Sequence, residues 1–393
     1  MGIARMDKKA FFILATAIFG SMLGQGIVTP FLPLYAQTMG ASGIWIGIIF
    51  GAFSFSRLMV MPFSGPLSDR TGRKWFLTIG LAGYAIVSLG YIMASNLYYL
   101  VLVRFVQGAA SAVVLPIARA YIGDLCPKGE EGKWTGYTNA AFFSGLGAGP
   151  LIGGVLSDLF GQNSAFFTMG ALNLMALLLI FFLLPEIKPK QASKPPNLLV
   201  SVKAMSTSKA IWGLLSYRTF DAMSRSSFFT FLAIFAYSVL NLSQSLIGIL
   251  LATHMGTMAL SGPYWGNVAD RFSRRTMIIT GGIITSIFFI LIPMMSNWWP
   301  LLLLCAFGGL GIAMVMPPLE AMAIDEGRKY GMGTAMSMLM VAMSIGMAIG
   351  PTAAGAVYDN VDINWVFYFC TIVGSIGTIL FYLLTRQVRQ TTP

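Results

Sequence analysis

The residues of this sequence that are most able to do chemistry are charged side chains inside long apolar stretches. They are four arginines, two carboxylates and the single histidine: Arg57, Arg104, Arg119, Arg225, Asp221, Glu320 and His254. A guanidinium at a bilayer centre costs about 2.5–3.5 kcal/mol on insertion scales, so each must face protein, water or a partner. A carboxylate or an imidazole in the same setting can bind and release a proton. The pattern indicates proton binding and contact with a polar substrate.

The surrounding apolar stretches predict an all-α membrane protein. Of 393 residues, 56% are hydrophobic and only 10% are charged, against roughly 25% charged in soluble domains. A membrane span needs about 20 apolar residues. Twelve such stretches follow, which we number spans one to twelve: 11–34, 43–64, 75–95, 98–121, 134–156, 164–185, 211–238, 243–264, 276–296, 299–322, 332–356 and 364–385. The first is too long for a signal-peptide core and is expected to be retained.

The chain repeats itself at an offset of 201 residues. The residues that recur at this offset are Asp69-Arg70 as Asp270-Arg271, Gly149-Pro150 as Gly350-Pro351, Gly47 as Gly248, Pro116 as Pro317, Asp124 as Asp325 and Asp158 as Asp359. We therefore predict twelve transmembrane helices in two pseudo-twofold-related six-helix bundles around a central cavity. The bundles are expected at residues 1–185 and 211–393, joined by a cytoplasmic linker at 186–210.

The net charge of +11 could suggest a nucleic-acid partner, but the 25 Lys and Arg residues do not form one patch. Apart from the arginines inside the spans, they occupy alternate connections and the tails, whereas the other connections contain none. Under the positive-inside rule the basic connections are cytoplasmic, which places both termini inside a bacterial-type plasma membrane. The charge thus predicts topology and attraction to anionic lipid, and no nucleic-acid partner. The three cysteines are too scattered for a disulfide framework or a metal site, and no cofactor is expected.

The segment GPLSDRTGRK at 65–74 predicts a short mechanical connection between spans two and three. Gly72 suits a tight reversal, and Asp69 can pair with Arg73 or cap the positive end of a neighbouring helix. We expect Asp69 and Arg73 to form a gate latch, whereas the neighbouring basic residues anchor the topology. The repeat and span five supply the other expected gating residues: Asp270, Arg271, Gly149 and Pro150.

The roles of Asp221 and Glu320 each leave two alternatives open. Asp221 and Arg225 lie on one face of span seven, where they form a neutral ion pair or leave Asp221 as a titratable group facing the cavity. Glu320 falls at the repeat position of Arg119, which suggests a bridge across the cavity that forms when the inner side closes. The alternative is that each of these two pairs with another neighbour.

Three further side chains are assigned by position. Gln25 lies in the Gly- and Pro-rich first span, and we place it towards the cavity. Arg57, in the middle of span two, makes either a structural salt bridge or a substrate contact. His254 in span eight is either a hydrogen-bonded packing residue or a proton carrier.

Three motifs resemble the major facilitator superfamily: GPLSDRTGRK at 65–74, RFVQG at 104–108 and GLGAGPLIGG at 145–154. Within that family they look like the twelve-helix drug:proton antiporters, including the tetracycline-efflux type. The resemblance implies a fold of two six-helix bundles, proton coupling through Arg104 and export rather than import. The chain departs from the family where Ser21 stands near an expected acidic residue, and Glu131 replaces an expected arginine.

These observations predict a proton-coupled exporter of small amphipathic or drug-like compounds that works by alternating access. The proton-coupling residues are expected to be Asp221, Glu320, Arg104 and His254, and the substrate cavity is expected to include Gln25, Arg57, Arg119, Arg225 and Glu320. The surplus of intramembrane arginines favours an alternative function, which is export or flipping of an anionic amphiphile such as a lipid or organic acid. An importer and a membrane sensor are further alternatives. No catalytic set, phosphate loop or metal cluster predicts an enzyme. The expected partners are a small-molecule substrate, protons and membrane lipids, with the chain a monomer.

Overall fold

The computed structural model describes residues 8–126, 130–186, 208–269, 271–330 and 332–386. These residues form thirteen α-helices and no strands. The helices are α1 (Lys8–Val28), α2 (Leu32–Thr38), α3 (Gly43–Thr71), α4 (Arg73–Ile92), α5 (Leu97–Leu125), α6 (Glu131–Phe160), α7 (Asn163–Leu183), α8 (Lys209–Ser238), α9 (Gln244–Ala269), α10 (Arg274–Leu291), α11 (Trp298–Tyr330), α12 (Met332–Asn360) and α13 (Ile363–Thr385). A single 3₁₀ turn, Ile292–Met294, follows α10. The expected all-α class is confirmed.

The duplication extends to the helix starts. α1 begins at Lys8 and α8 at Lys209, and α3 begins at Gly43 and α9 at Gln244, so both pairs keep the offset of 201 residues. α4 with α10, α5 with α11, and α6 with α12 keep it too. Eleven of the described helices are long and apolar enough to cross a membrane. The remaining long helix, α8, carries several charged residues between its start and Arg225: Lys209, Arg218, Asp221 and Arg225.

The contacts divide the chain into two units. Unit 1 comprises residues 1–41, 52–193 and 243–252, and unit 2 comprises 42–51, 194–242 and 253–393. Each unit therefore includes one ten-residue segment, at a helix start, from the other half of the sequence. The predicted bundle boundaries do not contain this exchange of segments. The predicted linker, 186–210, lies mostly outside the described residues.

The same packing pattern occurs in both units. In unit 1, α1 packs on α6 and α7, and α4 packs on α5 and α7. In unit 2, α8 packs on α12 and α13, and α10 packs on α11 and α13. Leu14, Tyr84 and Tyr121 belong to the buried core of unit 1, whereas Leu214 and Phe381 belong to that of unit 2.

Glycines allow the closest of these helix contacts. In unit 1, Gly145 and Gly149 of α6 face the α1 backbone, where Gly26 lies against Gly149. In unit 2, Gly346 and Gly350 of α12 face the α8 backbone in the same way. Small residues permit such close approach within a membrane. Gly145 and Gly149 of span five thus pack inside unit 1.

Three predicted boundaries need correction. α3 continues to Thr71, so most of the 65–74 segment is helical and only Gly72, with φ of +107°, separates α3 from α4. α11 extends to Tyr330, beyond the predicted end of span ten at residue 322. Span one is broken into α1 and α2 around Pro30, which has no N–H to continue the helical ladder.

We name the two ends of each unit by their connections. The basic end carries the connections at 72, 126–130, 270–273 and 331, beside most of the loop lysines and arginines. The capped end carries the connections at 39–42, 93–96, 161–162, 239–243, 295–297 and 361–362, which contain no lysine or arginine.

Candidate functional site

Arg104 lies in a buried polar network of unit 1. Its Nη1 donates to Gln107 Oε1 at 2.9 Å, and the Tyr91 hydroxyl donates to the same oxygen at 2.5 Å. Because Arg104 and Gln107 are three residues apart on α5, they share one helix face. The guanidinium carbon of Arg104 is 4.9 Å from the centroid of the Phe53 ring. The residue is only 2% exposed, so the network holds a positive charge inside the unit.

Arg57 of α3 has a different environment. Its electrostatic neighbours are Tyr84 and a second arginine, Arg119. Its Nε is buried and has no hydrogen-bond partner among the described residues. The ion pairs found among those residues do not include Arg57. The structural salt bridge considered for this residue is therefore not seen there, and the charge can be matched by an anion.

Arg119 lies towards the basic end of unit 1, beside a cavity of about 270 Å³. Its Nη2 donates to Asn139 Oδ1 of α6 at 3.4 Å, and its guanidinium carbon is 5.7 Å from the Phe142 ring centroid. The residues that line the cavity are Arg119, Ile122, Gly123, Cys126, Trp134, Thr138 and Asn139. The arginine thus presents a charge to a space walled mainly by α5 and α6.

The carboxylates predicted for proton coupling and the substrate cavity, Asp221 and Glu320, lie in unit 2. Asp221 Oδ2 is 3.4 Å from Arg225 Nε on the next turn of α8, so the predicted ion pair is formed. One turn earlier, Arg218 has its two terminal nitrogens 3.3 Å from the sulfurs of Met316 and Met343. Glu320 of α11 is a further electrostatic neighbour of Arg218. Asp221, Glu320, Arg218 and Arg225 thus bring two carboxylates and two arginines to unit 2.

Asp221 also borders a small internal pocket of unit 2. The side chain is 8% exposed, and the pocket has a volume of about 10 Å³, close to what one water molecule requires. Ser224, Thr285 and Thr378 line the same space, and their hydroxyl groups donate to backbone carbonyls. Asp221 therefore lies beside a small internal space that is lined in part by polar residues.

The Glu320 side chain on α11 is exposed, unlike that of Asp221. Glu320 belongs to unit 2, and its repeat mate Arg119 belongs to unit 1. The Arg119–Glu320 bridge stays a prediction. On α1, Gln25 is half-buried, and its expected contact with substrate also stays a prediction.

His254 lies in the aromatic interior of unit 2. The residue is fully buried, and its Nδ1 is 3.0 Å from the carbonyl oxygen of Cys305. The rings of Phe228 and Phe288 lie next to it and to each other, with centroids 5.1 and 5.4 Å from the imidazole. This is the environment that the packing alternative predicts for the histidine.

The basic end of each unit contains an ion pair that the sequence analysis did not predict. Arg73 Nε lies 2.7 Å from Asp124 Oδ2 in unit 1, and Arg274 Nη1 lies 2.6 Å from Asp325 Oδ2 in unit 2. The two pairs are related by the same offset of 201 residues, which could have identified them.

The other predicted gating residues are only partly described. The Asp69 side chain and Asp270 lie outside the described residues, so the pairing expected between Asp69 and Arg73 stays a prediction. Arg271 is exposed in the turn between α9 and α10. Gly149 is buried against α1, and the backbone carbonyl of Pro150 faces Gly248 of α9 inside unit 1.

The capped end contains two matching carboxylate contacts. Asp158 of α6 accepts from the backbone N–H groups of Gln244 and Ser245, at 3.1 and 2.7 Å. Asp359 of α12 accepts from those of Gly43 and Ile44, at 2.5 and 2.9 Å. Both aspartates stand out in the sequence repeat, although no role had been assigned to them.

A duplicated set of long apolar helices with ionisable groups buried at mid-helix defines a membrane transporter by architecture. The sequence matches the model of the Major Facilitator Superfamily over residues 14–220 and 214–393, so the chain belongs to that family.

Similar proteins cover nearly the whole chain. An uncharacterized MFS-type transporter of Methanocaldococcus jannaschii is 29% identical over 390 residues, covering 97% of this chain and 99% of that protein. The quinolone resistance protein NorA of Staphylococcus aureus is 27% identical over 390 residues, covering 97% and 98%.

Solved structures share the fold. A bacterial homolog of the human lysosomal transporter Spinster, in an inward-facing and unoccupied conformation, has a TM-score of 0.85 at 14% identity and covers 98% of each chain. The human organic anion transporter MFSD10 has a TM-score of 0.65 at 18% identity, covering 95% of this chain and 99% of that one.

Proposed function

We propose that this chain is a proton-coupled antiporter that exports small amphipathic, drug-like compounds by alternating access. The observation that carries the proposal is the Asp221–Arg225 pair, a buried carboxylate whose proton occupancy decides whether an arginine has a partner. The similarity to a quinolone resistance protein at 27% identity supports drug-like substrates. The 145–154 motif, which resembles that of antiporters, supports export.

The proposed coupling follows from the charge of the pair. When Asp221 binds a proton it loses its negative charge, and Arg225 then lacks the ion-pair partner 3.4 Å away. Glu320, exposed on α11, is the second carboxylate that can take up a proton, and Arg104 supplies a fixed positive charge in unit 1. Each charge that moves across the membrane gains about 2.3 kcal/mol per 100 mV, which can drive a substrate uphill.

The same proposal includes the topology and the partners. The lysines and arginines of the basic end favour a cytoplasmic position for that end and for both termini, in a bacterial-type plasma membrane. The proposed partners are the small-molecule substrate, protons and membrane lipids, and the chain acts as a monomer.

The test is uphill transport by purified protein in proteoliposomes with an imposed pH gradient. Asp221→Asn and Glu320→Gln should lose uphill transport of a fluorescent amphiphile and retain downhill movement. Asp362→Asn is the matched control, because Asp362 is exposed at the capped end and accepts from Asn364 N at 2.7 Å within its own helix start. If both neutralised variants transport uphill with unchanged pH dependence, the coupling residues are wrong.

A second candidate function is export or flipping of an anionic amphiphile, and Arg57 favours it. Its buried Nε has no partner among the described residues, and its electrostatic neighbours include another arginine. A carboxylate or phosphate group would satisfy a guanidinium in that position. Binding of two matched amphiphiles that differ only in head-group charge distinguishes the candidates, since the anionic function requires tighter binding of the anion and its loss in Arg57→Gln.

A further inference from the structure

The two capped-end aspartates complete the starts of two helices. The first N–H groups of a helix have no partner within that helix. In α9, Asp158 accepts from the first two, Gln244 and Ser245, and the Ser243 hydroxyl accepts from Leu246, at 3.4 Å. The free amides of the first turn are therefore satisfied, two of them by a residue 86 and 87 positions away.

The start of α3 is completed in the same way. Asp359 accepts from Gly43 and Ile44, and the Ser42 hydroxyl accepts from Trp45 at 3.5 Å. Asp359 is more than 300 residues from both amides. A negative charge at a helix N-terminus also interacts favourably with the helix dipole. Every member of this second group is the repeat mate of a member of the first.

Glycines bring the helix starts within reach of the aspartates. Gly154, one turn before Asp158, lies against the backbone of Gln244, and Gly355, one turn before Asp359, lies against that of Gly43. A Cβ atom at either glycine would collide with that backbone. A side chain at these positions would therefore separate the carboxylate from the amides that it binds.

Each of these contacts joins a helix start in one half of the sequence to a helix from the other half. Residues 243–252 belong by their contacts to unit 1, although the following residues of α9 belong to unit 2. Residues 42–51 belong to unit 2, although the rest of α3 belongs to unit 1. A rearrangement in which each sequence half moves as one body must break both sets of hydrogen bonds.

We propose that Asp158 and Asp359 are a pair of clamps that set the conformational equilibrium at the capped end. In the conformation described, both clamps are closed, and transport requires both to open. Because both carboxylates are exposed, each clamp is weak enough to break in every cycle. The proposal rests on alternating access but on no particular substrate or coupling ion.

The test is the alkylation rate of cysteines placed on the clamped segments, in purified protein in lipid nanodiscs where a maleimide reaches both ends. Ile247→Cys reports on the Asp158 clamp and Ile46→Cys on the Asp359 clamp, since both isoleucines are fully buried. Cys126→Ser removes the half-buried native thiol. Asp158→Asn replaces one of the two accepting oxygens by an NH₂ group that cannot accept, so it should raise the alkylation rate of Ile247→Cys about fivefold, as expected for the loss of one hydrogen bond.

The reporter at the opposite clamp separates a conformational device from local fraying. If the clamps set one equilibrium, Asp158→Asn also accelerates Ile46→Cys, and the variant lacking both aspartates gains about 20-fold. If only the adjacent reporter responds, the aspartates are local caps and the proposal is wrong.

Asp362→Asn is the matched control, because Asp362 caps its own helix start at the same end, and it should leave both rates unchanged. Equal acceleration in the control, or no acceleration in the clamp variants, also overturns the proposal. The measurement needs no transported compound, so failure of the proposed antiport leaves its result intact.

Discussion

At the residue scale, the two ion pairs of the basic end have the same chemistry and different exposure. The side chains of Arg73 and Asp124 are 10% and 20% exposed, whereas those of Arg274 and Asp325 are 33% and 45% exposed. A buried charge left without its partner costs more than an exposed one, which water solvates.

We therefore expect Asp124→Asn to destabilise the protein more than Asp325→Asn does. The expected losses are about 1–3 kcal/mol for the first and under about 1 kcal/mol for the second. Thermal unfolding of the two variants in detergent, in parallel, measures the difference as a shift in Tm. Equal shifts would show that exposure does not decide the strength of these pairs.

His254 gives a second prediction at this scale. Phenylalanine rings surround its imidazole, and its one hydrogen bond among the described residues is to a backbone carbonyl. His254→Phe keeps an aromatic ring of similar size, so the folded protein should retain uphill transport with unchanged pH dependence. His254→Ala should cost about 2–4 kcal/mol in stability because it leaves a cavity. A folded His254→Phe protein without proton coupling would instead make the histidine a proton carrier.

At the element scale, the helix contacts of α6 depend on individual glycines. A Cβ atom at Gly149 would collide with the backbone at Gly26, whereas one at Gly136 on the same helix meets nothing within 4 Å. Backbone contacts cannot give way as a flexible side chain can, so α1 and α6 would have to separate.

Gly149→Ala is therefore expected to lower the Tm by several degrees, with Gly136→Ala as its matched control. The control should be neutral or slightly stabilising, because alanine is the better helix former by about 1 kcal/mol. Size-exclusion chromatography of heated samples measures both. Similar behaviour of the two variants would mean that α1 and α6 tolerate a wider separation.

Apolar length and charge spacing predict the helices themselves better than their ends. α3 and α11 continue beyond their apolar stretches, through polar residues, as far as Thr71 and Tyr330. The end of an apolar stretch does not end a helix, whereas a helix-breaking residue does. For α3 that breaker is Gly72, whose positive φ ends the run. Apolar patterning contains no signal for such an end.

The partners of charged side chains were harder to predict than their presence. The Asp221–Arg225 pair lies within one helix, and its spacing predicts it. Arg73 and Asp124 lie on different helices, and Asp158 binds amides far along the chain. Local spacing carries no information on such contacts, so only the offset between the halves could have pointed to them.

At the scale of the whole molecule, the two halves share the same ion-pair and helix-start contacts but differ in the charges inside their membrane spans. Both units keep a basic-end ion pair and a capped-end aspartate at equivalent positions. The predicted coupling and cavity residues Arg57 and Arg104 belong to unit 1, whereas the carboxylates predicted for the same roles, Asp221 and Glu320, belong to unit 2. We therefore propose that the two units have different tasks, with unit 1 binding an anionic or polar group and unit 2 binding protons.

This division predicts that the two tasks can be separated by mutation. Arg57→Gln should raise the KM for an anionic amphiphile about tenfold, by loss of one charge-assisted hydrogen bond, with the pH dependence of transport unchanged. Asp221→Asn should have the converse effect, with KM retained and the pH dependence lost. Initial rates in proteoliposomes, measured against substrate concentration at several pH values, give both quantities from one preparation. If either variant changes KM and pH dependence together, one shared site performs both tasks and the division between the units is wrong.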